Sequence, residues 1–309
     1  MTDIIVQEVL PRDGLQIEPT WVPTDDKVRL IDAFSSLGFS RIEVSSFVSP
    51  KAIPALRDAS EVFARIRRAP GIVYVALVPN MKGAENALAA GAGELNMVMS
   101  ASDTHNLANV RMKGADSLRV FTDVASLGKR SGVLLNGSVA TAFGCPFEGR
   151  QAPERVLDIV RKYLDLGVDG ITLADTTGMA NPTQVAALVE QVLTLIPANM
   201  LTLHFHNTRG LGLANVLAAY EKGARRFDSA LGGLGGCPFA PGASGNICTE
   251  DLVNMAHDMG LETGLDLPAL IAEAHKLPAL LGHDVPGQVM KAGRTLDLHP
   301  TPAAVKALR

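Results

Sequence analysis

Four segments of the chain repeat one pattern: an alanine- and leucine-rich stretch, a glycine, then an alternating apolar run. They read AFSSLGFSRIEVSSF, ALAAGAGELNMVMS, YLDLGVDGITLADTT and AYEKGARRFDSALGG, and in each the glycine (Gly38, Gly91, Gly167, Gly223) stands four residues before an apolar one (Ile42, Leu95, Ile171, Phe227). A glycine in that place suits the residue just past a helix C-terminus, where a left-handed backbone costs it little. The alternation that follows has the period of a strand. Further β-like runs at 4–10, 71–78, 132–143 and 200–206 bring the expected strands to eight, with a helical pattern between most neighbours. Their spacing of roughly 30 to 40 residues is close to one βα unit. This α/β pattern predicts a (β/α)8 TIM barrel rather than a doubly wound open sheet. We expect a single domain over 1–309, with helices and a tail from about 250 to 309 completing the barrel.

Composition narrows the function classes. Aromatics are 5% of a chain that is 47% hydrophobic, so the expected core is aliphatic, as parallel sheets covered by helices require. Lysine and arginine number 28 against 32 acidic residues, a net charge of −4 with no long run of one sign. That balance points away from nucleic acid and membrane surfaces. No apolar run reaches the length of a membrane span. The start, MTDIIVQEVLPRDG, lacks the basic region and apolar stretch of a secretory signal, and KALR is not a peroxisomal signal. Three cysteines, at 145, 237 and 248, make no disulfide framework, so the expected setting is reduced and cytoplasmic.

The polar motifs fall at the carboxyl ends of the expected strands, where barrel enzymes build their sites. They are PRDG (11–14), EVSSF (43–47), Pro79-Asn80, NMVMS (96–100), ATAFGCPFEG (140–149), ADTTG (174–178), HFHNTRG (204–210) and GGLGGC (232–237). His204 and His206 lie two apart on a strand, so both imidazoles face one side and suit a metal. With only two histidines, an added carboxylate or amide oxygen favours Mg2+ or Mn2+ over closed tetrahedral zinc.

Asp13 sits in an ordinary turn signature, but its place after strand 1, beside strand 8 in a closed barrel, makes it a candidate ligand. Arg12 next to it is either solvated or holds a polarised oxygen at the mouth. Glu43 and Asp175 end strands 2 and 6, and each needs a partner: structural pairing and the orienting of metal ligands both remain open. Asn246 reads as a helix cap, though Thr249 fits that cap better. The glycine run at 232–236 reads as a lid, a phosphate cradle or a tight connection. The lid fits best, carrying Cys237 over bound substrate as proton donor or nucleophile. Cys145 reads as structural and Cys248 as packing.

PRDGLQ (11–16), IEVSSFVSPK (42–51), GCPFEG (144–149), LADTTGMANP (173–182), HFH (204–206) and GGLGGCPFAPGASGNICTEDLV (232–253) together resemble the hydroxymethylglutaryl-CoA lyase family, metal-dependent barrel lyases related to isopropylmalate synthase. The resemblance implies that Asp13, His204, His206 and Asn246 coordinate a divalent cation, Mg2+ or Mn2+. It implies that Arg12 steadies the thioester oxygen, Cys237 is the catalytic thiol, and Glu43 and Asp175 support the site. His204 or Asp175 is the implied base.

The implied reaction is a retro-Claisen cleavage of a 3-hydroxyacyl-CoA, with 3-hydroxy-3-methylglutaryl-CoA giving acetyl-CoA and acetoacetate, as in leucine degradation and ketone-body formation. The implied oligomer is a homodimer or a higher homo-oligomer. The chain departs from the family pattern at Leu10, Ile17, Asn207 and Arg209. The last two make the mouth more positive and open an alternative substrate, citramalyl-CoA. Asn207, Arg209, Ile17 and Ser46 are therefore the candidate substrate-tuning residues. A non-catalytic barrel is disfavoured, because every implied ligand and the thiol are present.

Overall fold

The computed structural model describes residues 2–236 and 245–302. Eight parallel strands close into a barrel in chain order: β1 (Ile5–Glu8), β2 (Arg41–Ser46), β3 (Val73–Val78), β4 (Glu94–Ser100), β5 (Leu134–Ala140), β6 (Gly170–Asp175), β7 (Leu201–Phe205) and β8 (Arg226–Ser229). The last strand pairs with the first, Arg226 opposite Ile5 through Ser229 opposite Glu8. Helices α1 (Thr24–Phe34), α2 (Ala59–Arg65), α3 (Met81–Ala89), α4 (Asp103–Val110), α5 (Gly114–Arg130), α6 (Pro153–Asp165), α7 (Pro182–Val192) and α8 (Gly212–Glu221) fill the connections. After β8 come α9 (Thr249–Asp258), α10 (Leu267–Ala274) and two short helical turns. The (β/α)8 expectation is met. Among the described residues no helix is long and apolar enough to cross a membrane.

The repeated glycine does the work its spacing implied. Gly91, Gly167 and Gly223 directly follow the cap residues of α3, α6 and α8 with φ of 81°, 70° and 102°. At Gly223 the chain closes a double turn, Gly223 N donating to Tyr220 O and Ala224 N to Ala219 O. The apolar residues four positions after the glycines are all buried on the outer face of the sheet, packed in the core under the helices.

The inner face is different. Alternation turns Glu43, Asn96, Asn136, Thr172, His204 and Asp228 toward the barrel axis, all of them buried. Asn96 Nδ2 on β4 reaches past β3 to donate to Glu43 Oε1 at 2.9 Å, and Asn136 Nδ2 donates to Asn96 Oδ1 and Thr172 Oγ1 at 3.1 and 3.0 Å. An aliphatic core therefore describes the layer between sheet and helices, while much of the space inside the barrel is a hydrogen-bonded polar network. Barrel interiors are more often filled by Val, Ile and Leu.

Two local expectations change. The first strand ends at Glu8 rather than Leu10, because the Glu8 carboxylate takes the Leu10 amide at 2.8 Å and the chain turns there. Thr249 is the first residue of α9 rather than its cap; Cys248 holds the cap position without a side-chain bond, and the Thr249 hydroxyl donates to Glu8 Oε2 instead.

Gly38 leaves no room for a side chain. Its φ is +98°, and an added Cβ would overlap the carbonyl oxygen of Gly264. Gly38→Ala should lower unfolding free energy by about 2 kcal/mol or more, since it combines left-handed strain with a backbone clash. Urea unfolding followed by circular dichroism checks this, and a loss under about 0.5 kcal/mol, the range of ordinary surface substitutions, would contradict it.

Candidate metal centre and active site

The PRDG segment after β1 is not a simple four-residue turn. Leu10–Gly14 forms a wide π-type turn, with Gly14 N donating to Val9 O at 3.3 Å and Leu15 N to Leu10 O at 3.0 Å. Such turns recur at functional sites. Here the turn delivers two adjacent side chains, Arg12 and Asp13, into the barrel mouth. Arg12 Nε donates to Glu43 Oε2 at 2.7 Å, Nη2 lies 2.6 Å from the same oxygen, and Nη1 pairs with Asp13. The guanidinium is thus held between two carboxylates, with further N–H groups left for a ligand.

His204 and His206 bring their Nε2 atoms to 3.1 Å of each other and to 3.8 and 3.5 Å of Asp13 Oδ2. Those three donor atoms are one buried cluster with the spacing of a metal site. Asn246 arrives from the far end of the glycine loop by backbone pairing. Residues 245–247 dock on the end of β7, with Asn207 N donating to Gly245 O at 2.8 Å and Ile247 N to Phe205 O at 3.0 Å. This sets Asn246 opposite His206, where its Nδ2 donates to Asp13 Oδ2 at 2.7 Å. Its Oδ1 is buried with no hydrogen-bond partner, an oxygen of the kind a hard cation takes up. Two imidazole nitrogens, a carboxylate and an uncommitted amide oxygen fit a divalent cation.

Electrostatics point the same way. Burial pushes the Asp13 carboxyl up, but Arg12, His206 and His204 outweigh it and hold the carboxyl well below the usual range. Burial pushes the His206 imidazole down despite Asp13, keeping it in the neutral form that binds metal. At His204 burial also acts downward, but Asp228 and Asp13 raise the imidazole overall. Asp228 Oδ2 lies 3.1 Å from His204 Nδ1, which orients the ring with Nε2 toward Asp13. Sequence reasoning missed Asp228, because β8 reads Arg-Phe-Asp-Ser and its carboxylate does not stand out from an apolar run as those of Glu43 and Asp175 do.

The remaining candidates divide. Glu43 is buried, with Arg12 on one oxygen and Asn96 on the other. Asp175 Oδ1 accepts from Met179 N and Ala180 N at 2.8 and 3.1 Å, and its buried Oδ2 has no partner. Burial, against those two amides, pushes the Asp175 carboxyl up to about 6. Ser46 is buried with its hydroxyl unpartnered, and Ile17 is 42% exposed on the segment after the π-type turn. Asn207 is exposed, and its amide oxygen takes Gly212 N at the start of α8. Arg209 donates through Nη1 to the carbonyls of Thr177 and Gly178 at 3.1 and 2.8 Å, linking the loops after β6 and β7. Cys237 lies outside the described residues. Cys145 and Cys248 are buried free thiols.

Comparison with known proteins agrees with the site. The HMGL-like family model matches residues 3–276. A hydroxymethylglutaryl-CoA lyase of Bacillus subtilis is 43% identical over 285 residues, covering 92% of this chain and 95% of that protein. An (R)-citramalyl-CoA lyase of Chloroflexus aurantiacus is 45% identical over 303 residues, 95% of this chain and 96% of that one. The structure of an HMG-CoA lyase from Acinetobacter baumannii, in complex with coenzyme A and 3-methylmalate, superposes with a TM-score of 0.95 at 64% identity, covering 97% of this chain and 98% of that chain.

The geometry assigns different weights to a ligand and its orienting partner. His206→Ala should weaken Mn2+ binding by more than about 100-fold, and Asp228→Asn by about 10- to 100-fold, because the latter loses orientation rather than a donor. Titration calorimetry with Mn2+ reads both. Unchanged affinity in His206→Ala removes it from the ligand set, and unchanged affinity in Asp228→Asn removes its orienting role.

Proposed function

The chain belongs to the HMGL-like family and is a carbon–carbon lyase, and from that premise we propose that it cleaves 3-hydroxy-3-methylglutaryl-CoA to acetyl-CoA and acetoacetate with Mg2+ or Mn2+ held by Asp13, His204, His206 and Asn246. The observation that carries the reading is the convergence of the Asp13, His204 and His206 donor atoms beside Arg12 in a chain 43% identical to a hydroxymethylglutaryl-CoA lyase. The proposal includes a cytoplasmic setting, read from cysteine usage, and, by family resemblance, a homodimer or larger homo-oligomer.

The bound cation would supply Lewis acidity that lowers the pKa of the substrate's tertiary hydroxyl. Asp175 is the better base of the two candidates. Both nitrogens of His204 are engaged, Nδ1 with Asp228 and Nε2 in the Asp13–His206 cluster, whereas Asp175 Oδ2 has no partner. Asp175 takes the hydroxyl proton, the C2–C3 bond breaks, and its electrons pass to the thioester as an enolate. Arg12, fixed from two sides by Glu43 and Asp13, donates to the enolate oxygen as charge develops. Cys237 gives its thiol proton to the enolate carbon, completing acetyl-CoA.

Citramalyl-CoA is the second reading, with pyruvate as the coproduct. It is favoured by the 45% identity to an (R)-citramalyl-CoA lyase and by the 3-methylmalate in the Acinetobacter baumannii complex, an acid whose hydroxyl carbon bears a carboxylate directly. Arg209 at the mouth is the cation available to such a carboxylate.

Purified protein offered each thioester with Mg2+, with and without EDTA, tests both readings. EDTA-sensitive acetoacetate from the first is the expected result; pyruvate from the second with the first inert would move the assignment to citramalyl-CoA. Cys237→Ala should lower turnover by about 100-fold or more, and near-normal turnover removes the thiol from the reaction. A base works deprotonated, so the acid limb of kcat/KM, which reports the free enzyme, should rise with pH through about 6, following Asp175. An Asp175→Asn variant with an unaltered limb would contradict that role.

A further inference from the structure

Glu8 is fully buried at the end of β1, and nothing in the proposed chemistry uses it. Its carboxylate gathers three donors from three segments. Oε1 accepts from Leu10 N at 2.8 Å, the first residue of the turn that carries Arg12 and Asp13. The same oxygen accepts from Leu231 N at 3.1 Å, where the glycine loop leaves β8. Oε2 accepts from the Thr249 hydroxyl at 2.8 Å, three residues beyond Asn246 and at the start of α9. Both ends of the 231–248 loop and the start of the Asp13 turn therefore meet on one side chain. A second buried carboxylate, Glu250, accepts from Gly232 N at 3.0 Å. Two consecutive loop amides, Leu231 and Gly232, are thus held where the run of positive-φ glycines (Gly232, Gly233, Gly235) begins.

We propose that Glu8 is a positioning residue that holds the turn bearing Asp13 and the loop bearing Asn246 at the separation a shared divalent cation requires. The inference rests on the metal reading above and concerns a residue with no donor atom in that cluster. A buried carboxyl carries a large desolvation penalty, which its three hydrogen bonds offset. Burial pushes Glu8 up to about 8, against the Leu10 and Thr249 bonds. Either protonation state keeps the three contacts, because the Thr249 hydroxyl, 2.8 Å from Ser229 Oγ, can donate to Glu8 or accept from it. Glutamine satisfies the same set: its oxygen takes both amides and its nitrogen donates to Thr249. Alanine leaves the two amides and the hydroxyl without a partner.

The test is Mn2+ affinity measured by titration calorimetry and electron paramagnetic resonance, with folded fraction and melting temperature recorded for every variant. Glu8→Ala should bind Mn2+ about 10- to 100-fold more weakly, the range typical of lost support behind metal ligands, while Glu8→Gln stays within about threefold of wild type. If Glu8→Ala does not fold, Thr249→Val, which removes one of the three Glu8 contacts together with the Ser229 contact, should weaken Mn2+ binding by about 2- to 10-fold. Hydrogen exchange at the Leu10 and Leu231 amides should quicken in step. Folded Glu8→Ala with a lowered melting temperature but wild-type Mn2+ affinity overturns the assignment, as does a Glu8→Gln variant that binds as weakly as alanine. A wild-type protein that takes up no Mn2+ overturns the metal reading and this inference with it.

Discussion

The Arg12 guanidinium lies buried between Asp13 and Glu43, and the barrel mouth is organised around that cation. Taking ions out of water costs several kcal/mol each, so a buried cation is tolerated only where anions and donors surround it closely. The chain meets that demand in layers. Asn96 completes Glu43, Glu43 and Asp13 complete Arg12, and Asp228 completes His204. Three carboxyl groups (Asp13, Glu43, Asp228) face one guanidinium, so acidic groups outnumber the cation in a buried space. A divalent cation between Asp13 and the imidazoles offsets that excess. The polar interior of the barrel and the metal reading are thus two sides of one charge balance.

The glycine loop fits the same account. Its two ends are fixed by backbone pairing to β7 and β8 and by buried carboxylates. Its glycines with positive φ, Gly232, Gly233, Gly235 and Gly245, flank the segment that carries Cys237. Asn246, the fourth ligand of the proposal, belongs to the fixed part.

Much of the fold was legible because its signals are local. The glycine four residues before an apolar strand position encodes a helix end and a strand start within one short window; three of the four repeats place it directly after the cap, and Gly38 follows the cap of α1 by three residues. The histidine pair was legible for the same reason: period-two geometry needs only the strand. What stayed hidden depends on contacts across the barrel. Glu8 finds partners 223 and 241 residues away, and Asn96 meets Glu43 across an intervening strand. The PRDG stretch looked like a common turn; its wide π form follows from where its amides find acceptors. Asn207 looked like a charge change beside the ligands, yet its side chain starts α8. The ligand role of Asn246 came from family resemblance, and only the pairing of residues 245–247 with β7 explains how it reaches the cluster.

The most direct test of the account is anomalous diffraction at the manganese edge from crystals grown with Mn2+. The account predicts one strong peak within bonding distance of Asp13 Oδ2, the Nε2 atoms of His204 and His206, and Asn246 Oδ1, with water or substrate oxygens completing the shell. A peak elsewhere, or one at this place that leaves Asn246 or either histidine out of the shell, would contradict it.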